Sequence, residues 1–205
     1  MLWIMTSYGR KCSLAADRAE LKEELGIPSG VPVVLCVAGV VPKKRHFDLV
    51  EVMAQLQTPA RLVLKGHGRL LAKVRAFCQR RVPQTILTGF KNQSELPRFY
   101  AMADLFVLPS LWEEFALVVN EAMCAARPVI GSDTVAASRA LVRQSENGYV
   151  FAPGDVRALA HYLGALLSDA ELREHFGQRS LEIISGWTDA RAASWIIRAL
   201  ESASR

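Results

Sequence analysis

Long hydrophobic runs are missing from this sequence of 205 residues. The apolar opening MLWIM gives way within five residues to Thr, Ser, Tyr, Gly and two bases, too short for a signal peptide or a membrane span. The expectation is a cytoplasmic location, with at most a peripheral association at the inner membrane face. Cysteine is sparse: Cys12, Cys36, Cys78 and Cys124 lie far apart with no C-x-x-C pair, as expected of reduced, packed thiols. His46, His67, His161 and His175 show no metal-ligand spacing among themselves or with the cysteines, so no metal is expected. Charge of one sign is not concentrated either. Twenty-five basic against twenty acidic residues give +5, with short clusters only at 43–45 and 80–81 and no aromatic interleaving. That pattern favours a local anion site and excludes a nucleic-acid stripe as a partner surface. Low-complexity linkers and internal repeats are absent too.

What is present is apolar residues, at 51% of the chain, enough to bury a core in one domain with a helical appendage. Short apolar runs (VPVVLCVAG at 31–39, then RLVLKG, QTILTG, DLFVLPS and RPVIGSD) alternate with helix candidates at 46–57, 69–81, 94–103 and 116–126. Strands separated by crossover helices require a mostly parallel sheet covered on both faces, a Rossmann-like α/β fold. After ENGYVFAPGD the pattern turns helical, over roughly 155–168, 170–184 and 188–204.

The stretch PSLWEEFALVVNEAMCAARPVIGSD, at 109–133, poses the functional question. An apolar strand ends on Pro-Ser, passes Glu113 and Glu114, and opens a helix near Phe115 that carries Glu121 about two turns in. Glu113 and Glu121 are therefore no i,i+4 surface pair. In parallel sheets ligands bind outside the carboxyl ends of the strands, where free helix N-termini favour anions. The segment lies at such an end, so its helix start is a candidate phosphate- or hydroxyl-binding edge flanked by two acids. Solvated or capping roles for both acids are the alternative.

The spacing E-x7-E, embedded in PSLWEEFALVVNEAMCAARPVIGSD, resembles the retaining glycosyltransferases of the GT-B fold, glycosyltransferase family 4, group 1. AELKEELGIP, AGVVPKKRHFDLVEVM, LVLKGHGRL, TGF, ELPRFYAMADLFVLPS and ENGYVFAPGD follow in family order. The resemblance covers about residues 8 to 200 and only the carboxyl-terminal, donor-binding half of that fold. It implies that 1–205 is a nucleotide-sugar-binding Rossmann-like domain, with 1–20 an interdomain connection and 188–205 a terminal helix. It also implies an acceptor-binding domain that is missing here or supplied by another chain. Trp187, Trp195, Ile196 and Ile197 are then candidates to pack on that second domain, or else on this one.

The same resemblance assigns roles. The substrate is a nucleotide sugar such as a UDP- or GDP-sugar, with no cofactor and no bound metal. Glu121 would accept the ribose hydroxyls, Glu113 would face the sugar, and the amides of Phe115, Ala116 and Leu117 would meet the sugar or diphosphate. Lys44 would neutralise the diphosphate, helped by Lys43 and Arg45. Gly66 and Gly68 are turn residues first and donor neighbours second. Phe90 and Lys91 would belong to the base-binding wall, and Asn147 and Gly148 read as a turn beside the site, with a purely structural role the favoured alternative.

Several positions depart from the family pattern. Val40 replaces an expected arginine, Arg45 and Ala116 stand where glycines are expected, and Ala136, Ala137 and Ala140 replace two glycines and an acid. These changes keep a second class of function open, a degenerate non-catalytic binding or interaction module. A phosphorylase of the same architecture is a further alternative.

Overall fold

The computed structural model describes residues 11–89 and 93–187. Six short strands form one sheet: β1 (Val33–Val37), β2 (Arg61–Lys65), β3 (Ile86–Gly89), β4 (Leu105–Leu108), β5 (Val129–Ser132) and β6 (Gly148–Phe151). All neighbours pair in parallel in the order β3-β2-β1-β4-β5-β6. Chain direction across the sheet therefore reverses between β1 and β4, which opens a crevice beyond their carboxyl ends. The strands read as continuous apolar runs because both faces are covered: Val33 to Cys36, Leu105 to Leu108 and Val129 to Ile130 are fully buried.

Eight α-helices surround the sheet among the described residues: α1 (Lys11–Glu24), α2 (His46–Gln55), α3 (Leu71–Arg81), α4 (Leu96–Met102), α5 (Leu117–Cys124), α6 (Ala136–Leu141), α7 (Val156–Ser168) and α8 (Ala170–Ser185). Helical spacing explains which faces they bury. In α2 these are Leu49, Val50, Val52 and Met53, and in α7 Leu159, Leu163, Leu166 and Leu167. Asp155 and Asp169 cap α7 and α8, each accepting a hydrogen bond of 2.9 Å from the amide three residues on. Cys36, Cys78 and Cys124 are free and buried, packed like small apolar groups.

The expected Rossmann-like layers are present, with differences at element ends. Residues 11–20 of the stretch read as a connection belong to α1, which packs on α4. There Arg18 and Lys22 meet Asp104, at 2.7 and 3.5 Å. Helix α6 and strand β6 were not expected from the sequence. Asn147 closes a turn at 145–147 and Gly148 opens β6, but at the amino edge of the sheet rather than beside the crevice, because β6 runs parallel to β5. Asn147 is buried there, accepting from the Arg143 amide at 2.7 Å and donating to the Leu141 carbonyl at 3.2 Å. The helix expected at 188–204, with Trp195, Ile196 and Ile197, lies outside the described residues, as do Phe90 and Lys91.

Candidate functional site

The crevice at the β1/β4 reversal is built from the loops that follow those two strands. After β1 the chain forms a 3-10 turn (Pro42–Lys44) and then Arg45 takes a left-handed conformation, φ 50°, to enter α2. After β4 the segment 109–116 is held on two sides. The Leu111 amide donates to the Lys43 carbonyl at 2.6 Å, tying it to the β1 loop. Ser132 Oγ donates to the Ser110 carbonyl, and Thr134 Oγ1 donates to the Leu111 carbonyl at 2.5 Å. Glu113 and Val135 form a parallel bridge in which the Ala136 amide donates to the Glu113 carbonyl at 3.0 Å. The segment that carries Glu113 is thus fixed by the loops after β1 and β5 at once, which places its side chain before any ligand arrives.

Lys44 Nζ forms an ion pair with Glu113 Oε1, both side chains mostly buried at 15% and 12% exposure. Lys43 Nζ reaches 3.9 Å from Glu113 Oε2 and lies 4.0 Å above the Trp112 ring. One carboxylate therefore faces two ammonium groups. Arg45, by contrast, turns to Asp48 at 2.6 Å and stacks beside Gly154. It shapes the loop rather than joining the two lysines.

Helix α5 begins at Leu117, one to two residues later than the sequence suggests, because Ala116 is left-handed at φ 53°, ψ 57°. Where the family pattern has glycine, alanine here holds a conformation natural to glycine, at a cost of about 1–2 kcal/mol. No side chain caps the helix. The Val119 amide turns back to the Ala116 carbonyl at 2.9 Å, and the amides before it, of Leu117 and Val118, have no carbonyl one turn earlier in the helix, so this uncapped start is a cradle for anionic or hydroxyl oxygens. Around them Leu111, Trp112, Phe115 and Leu117 are exposed, Phe115 at 77% and Leu117 at 63%.

Glu121 sits on α5, and its described partners are different from those of Glu113. Tyr100 donates its hydroxyl to Glu121 Oε2 at 2.6 Å. Desolvation pushes the Glu121 carboxyl above the ordinary range, while the Tyr100 hydrogen bond and the charge of Lys65 pull the other way. Lys44 and Glu113 are brought together, whereas Glu121 belongs to a second group with Tyr100 and Lys65. Sequence spacing gave no sign of this group. The available clue was one lysine closing the otherwise apolar end of β2, and a tyrosine in the buried face of α4, whose hydroxyl needs a partner.

Gly66 and Gly68 are packing glycines. A side chain at Gly66 would lie 1.9 Å from the Ala38 carbonyl, and one at Gly68 2.4 Å from that of Val40. They let the β2 loop run against the β1 loop, with the Val40 amide donating to the His67 carbonyl at 2.9 Å. Val40 itself is buried at 2% exposure, part of the core.

Two cavities of about 570 and 640 Å³ lie at the opposite, amino edge, lined by Arg18, Asp104 and Arg173, with Lys22 in one and Arg127 in the other. Their arginines are engaged at helix ends: Arg18 with the Ala101 and Ala103 carbonyls, Arg127 with Ala125, Arg173 with Leu166 and Leu167. Such cations offset the negative ends of helices, so this edge is structural. Among the described residues no cluster of three or more His, Cys, Asp or Glu could hold a metal ion, and no helix is long and apolar enough to cross a membrane.

Residues 17–182 match the family described as glycosyl transferases group 1. The chain belongs to that family. N-acetyl-alpha-D-glucosaminyl L-malate synthase of Bacillus anthracis is 28% identical over 170 residues, covering 82% of this chain and 44% of that enzyme. A D-inositol 3-phosphate glycosyltransferase of Xylanimonas cellulosilytica is 31% identical over 188 residues, covering 87% and 45%. Among solved structures, sucrose-phosphate synthase from Thermosynechococcus elongatus superposes with a TM-score of 0.76 at 27% identity, covering 90% of this chain and 49% of that one. HepE of Anabaena, in complex with UDP, reaches 0.81 at 23% identity, covering 91% and 53%. The chain spans less than half the length of these two curated relatives. Its sheet corresponds to one half of the GT-B glycosyltransferases.

Proposed function

We propose that this chain is the donor-binding half of a retaining glycosyltransferase that takes a nucleotide sugar, a UDP- or GDP-sugar, as substrate. The observation that carries it is the meeting of Lys44 and Glu113 where the β1 and β4 loops converge, beside the uncapped start of α5. That HepE was solved with UDP supports the nucleotide class.

In this reading the diphosphate lies against Lys44, Lys43 and the first amides of α5. A charge-assisted hydrogen bond to the ammonium contributes about 1.5–3 kcal/mol, and the helix start about 0.3–1 kcal/mol. Before the ligand arrives Glu113 serves as counter-ion and keeps Lys44 extended into the crevice. When the diphosphate shares that ammonium, the Glu113 oxygens become free to accept sugar hydroxyls, and Glu121 accepts the ribose hydroxyls.

Transfer breaks the bond from the anomeric carbon to the β-phosphate oxygen and forms one to the acceptor oxygen on the same face. The acceptor proton passes to the leaving phosphate oxygen. Lys44 and the amides stabilise charge as it gathers on that phosphate, which is the work a bound metal does elsewhere, so the reaction is proposed to be metal-independent. The acceptor is held by a second domain, supplied in the same protein or by another chain, and the exposed Leu111, Trp112, Phe115 and Leu117 are proposed to face it. The proposed setting is the cytoplasm, with contact at the membrane surface at most.

The left-handed geometry at Ala116 and Arg45, kept where glycine would be easier, favours an intact donor site over an eroded module. Isothermal titration of the chain with UDP, GDP and their glucose or mannose conjugates tests the proposal. Binding of at least one of them supports it; no heat at millimolar concentration with any of them removes it.

A further inference from the structure

Glu121 takes a hydrogen bond from one buried polar group and feels the charge of a second, the two coming from different elements. Tyr100, on α4, is fully buried and gives its hydroxyl to Glu121 Oε2 at 2.6 Å. Lys65, the last residue of β2, is 4% exposed, with its ammonium 5.4 Å from the Phe99 ring centre, and its charge acts on Glu121. Burying a hydroxyl and an ammonium is costly unless they are paired. Lys65 closes a strand whose preceding Leu62, Val63 and Leu64 are all buried and apolar, so packing alone would be met by another aliphatic residue. It also pairs in register with Gly89 at the end of β3, the strand leading to the proposed base-binding wall.

We propose that Tyr100 and Lys65 are positioning residues for Glu121, holding its carboxylate ionised and in one orientation so that Oε1 and the remaining lone pair of Oε2 can accept hydroxyl groups of a nucleotide ribose. This rests on the reading of Glu121 as the nucleotide-binding acid. The physical need is clear from the environment. Desolvation alone would favour the protonated acid, which accepts hydroxyl donors poorly, and the phenol and the ammonium oppose it. The acting groups are Tyr100 from α4 and Lys65 from β2, while Glu121 in turn helps to raise the Cys124 thiol, to about 11, behind desolvation. Helices α6 and α8, also packed on α5, bury Ala137, Leu141, Phe176 and Ile184 with Ser138 and Ser180, and no charged side chain.

The test is the affinity of the full chain for UDP and for GDP, measured by titration calorimetry from about pH 5 to about pH 8, for wild type, Tyr100→Phe, Lys65→Met and Glu121→Gln. Each variant is compared with wild type on the same nucleotide, so the ligand's own phosphate titration cancels. Removing either partner removes an influence that lowers the Glu121 pKa, so affinity should be lost at a higher pH than in wild type, and should fall about tenfold near neutrality in Tyr100→Phe. Glu121→Gln should bind weakly and lack the acid limb assigned to this carboxylate. The inference is overturned if Tyr100→Phe and Lys65→Met keep the wild-type pH midpoint, whatever happens to their melting temperatures, while Glu121→Gln is impaired. If Glu121→Gln binds like wild type, or wild type binds neither nucleotide, the reading of the site falls first and this inference with it.

Discussion

Lys44 and Glu113 meet across two loops that are separate in sequence and adjacent only because chain direction reverses between β1 and β4. Lys44 follows the first strand, Glu113 follows the fourth, and the Leu111 amide joins the loops through the Lys43 carbonyl at 2.6 Å. A pair this sheltered has paid much of its desolvation already, so removing one partner exposes the other as an uncompensated charge.

Lys44→Met and Glu113→Gln should each lower stability, by about 1–3 kcal/mol, and the double variant should lose less than the sum. Urea denaturation of the four proteins measures the coupling. Strict additivity would mean that the two charges do not interact in solution. In nucleotide binding the two should part: Lys44→Met should weaken UDP or GDP about ten- to a hundredfold, whereas Glu113→Gln should spare the free nucleotide and weaken the nucleotide sugar.

Ala116 provides a test of opposite sign. Its left-handed backbone is strained for alanine and natural for glycine, so Ala116→Gly should stabilise the chain by up to about 1 kcal/mol after the extra freedom of glycine in the unfolded state is subtracted. Arg45, at φ 50°, is no parallel case, because its side chain also bonds Asp48. A raised melting midpoint for Ala116→Gly with unchanged nucleotide affinity is the expected result; a lowered one would show that the methyl group contributes packing.

Acid stability follows from His46, 3% exposed at the start of α2. Desolvation, reinforced by the Lys44 charge, lowers its pKa from 6.5 to about 4. The unfolded chain then binds a proton that the folded chain refuses, so this contribution to stability is full above the unfolded pKa and is lost as pH falls towards 4. The loss amounts to about 3 kcal/mol. His46→Gln should flatten the stability profile in that window, as read from denaturation midpoints; an unchanged slope would contradict the buried neutral imidazole.

Gly66 and Gly68 should tolerate no side chain. Each Cβ would collide with a backbone carbonyl of the β1 loop, so Gly66→Ala and Gly68→Ala should cost several kcal/mol or abolish folding. Near-wild-type melting of either would show that the two loops separate easily.

Much of this was legible in the sequence because the strands are buried on both faces and read as plain apolar runs between helical patterns. The E-x7-E segment could be placed at a strand's carboxyl end for the same reason. Two kinds of feature escaped. Strand β6 and helix α6 are short, four and six residues, and the Asn-Gly at 147–148 signals a turn as strongly as a strand start. The Tyr100 and Lys65 contacts with Glu121 are made by tertiary packing between α4, β2 and α5, for which local periodicity holds no information. Helix α5 starts late for a related reason: propensity alone does not say that Ala116 will take the conformation of a glycine.

A crystal structure of the chain with UDP-glucose or GDP-mannose bound tests the central claim most directly. The account predicts the diphosphate within hydrogen-bonding distance of Lys44 Nζ and the first amides of α5, with the ribose hydroxyls on Glu121. A nucleotide seated instead among Arg18, Arg127 and Arg173 at the amino edge, leaving the Lys44 and Glu113 pair untouched, would contradict it.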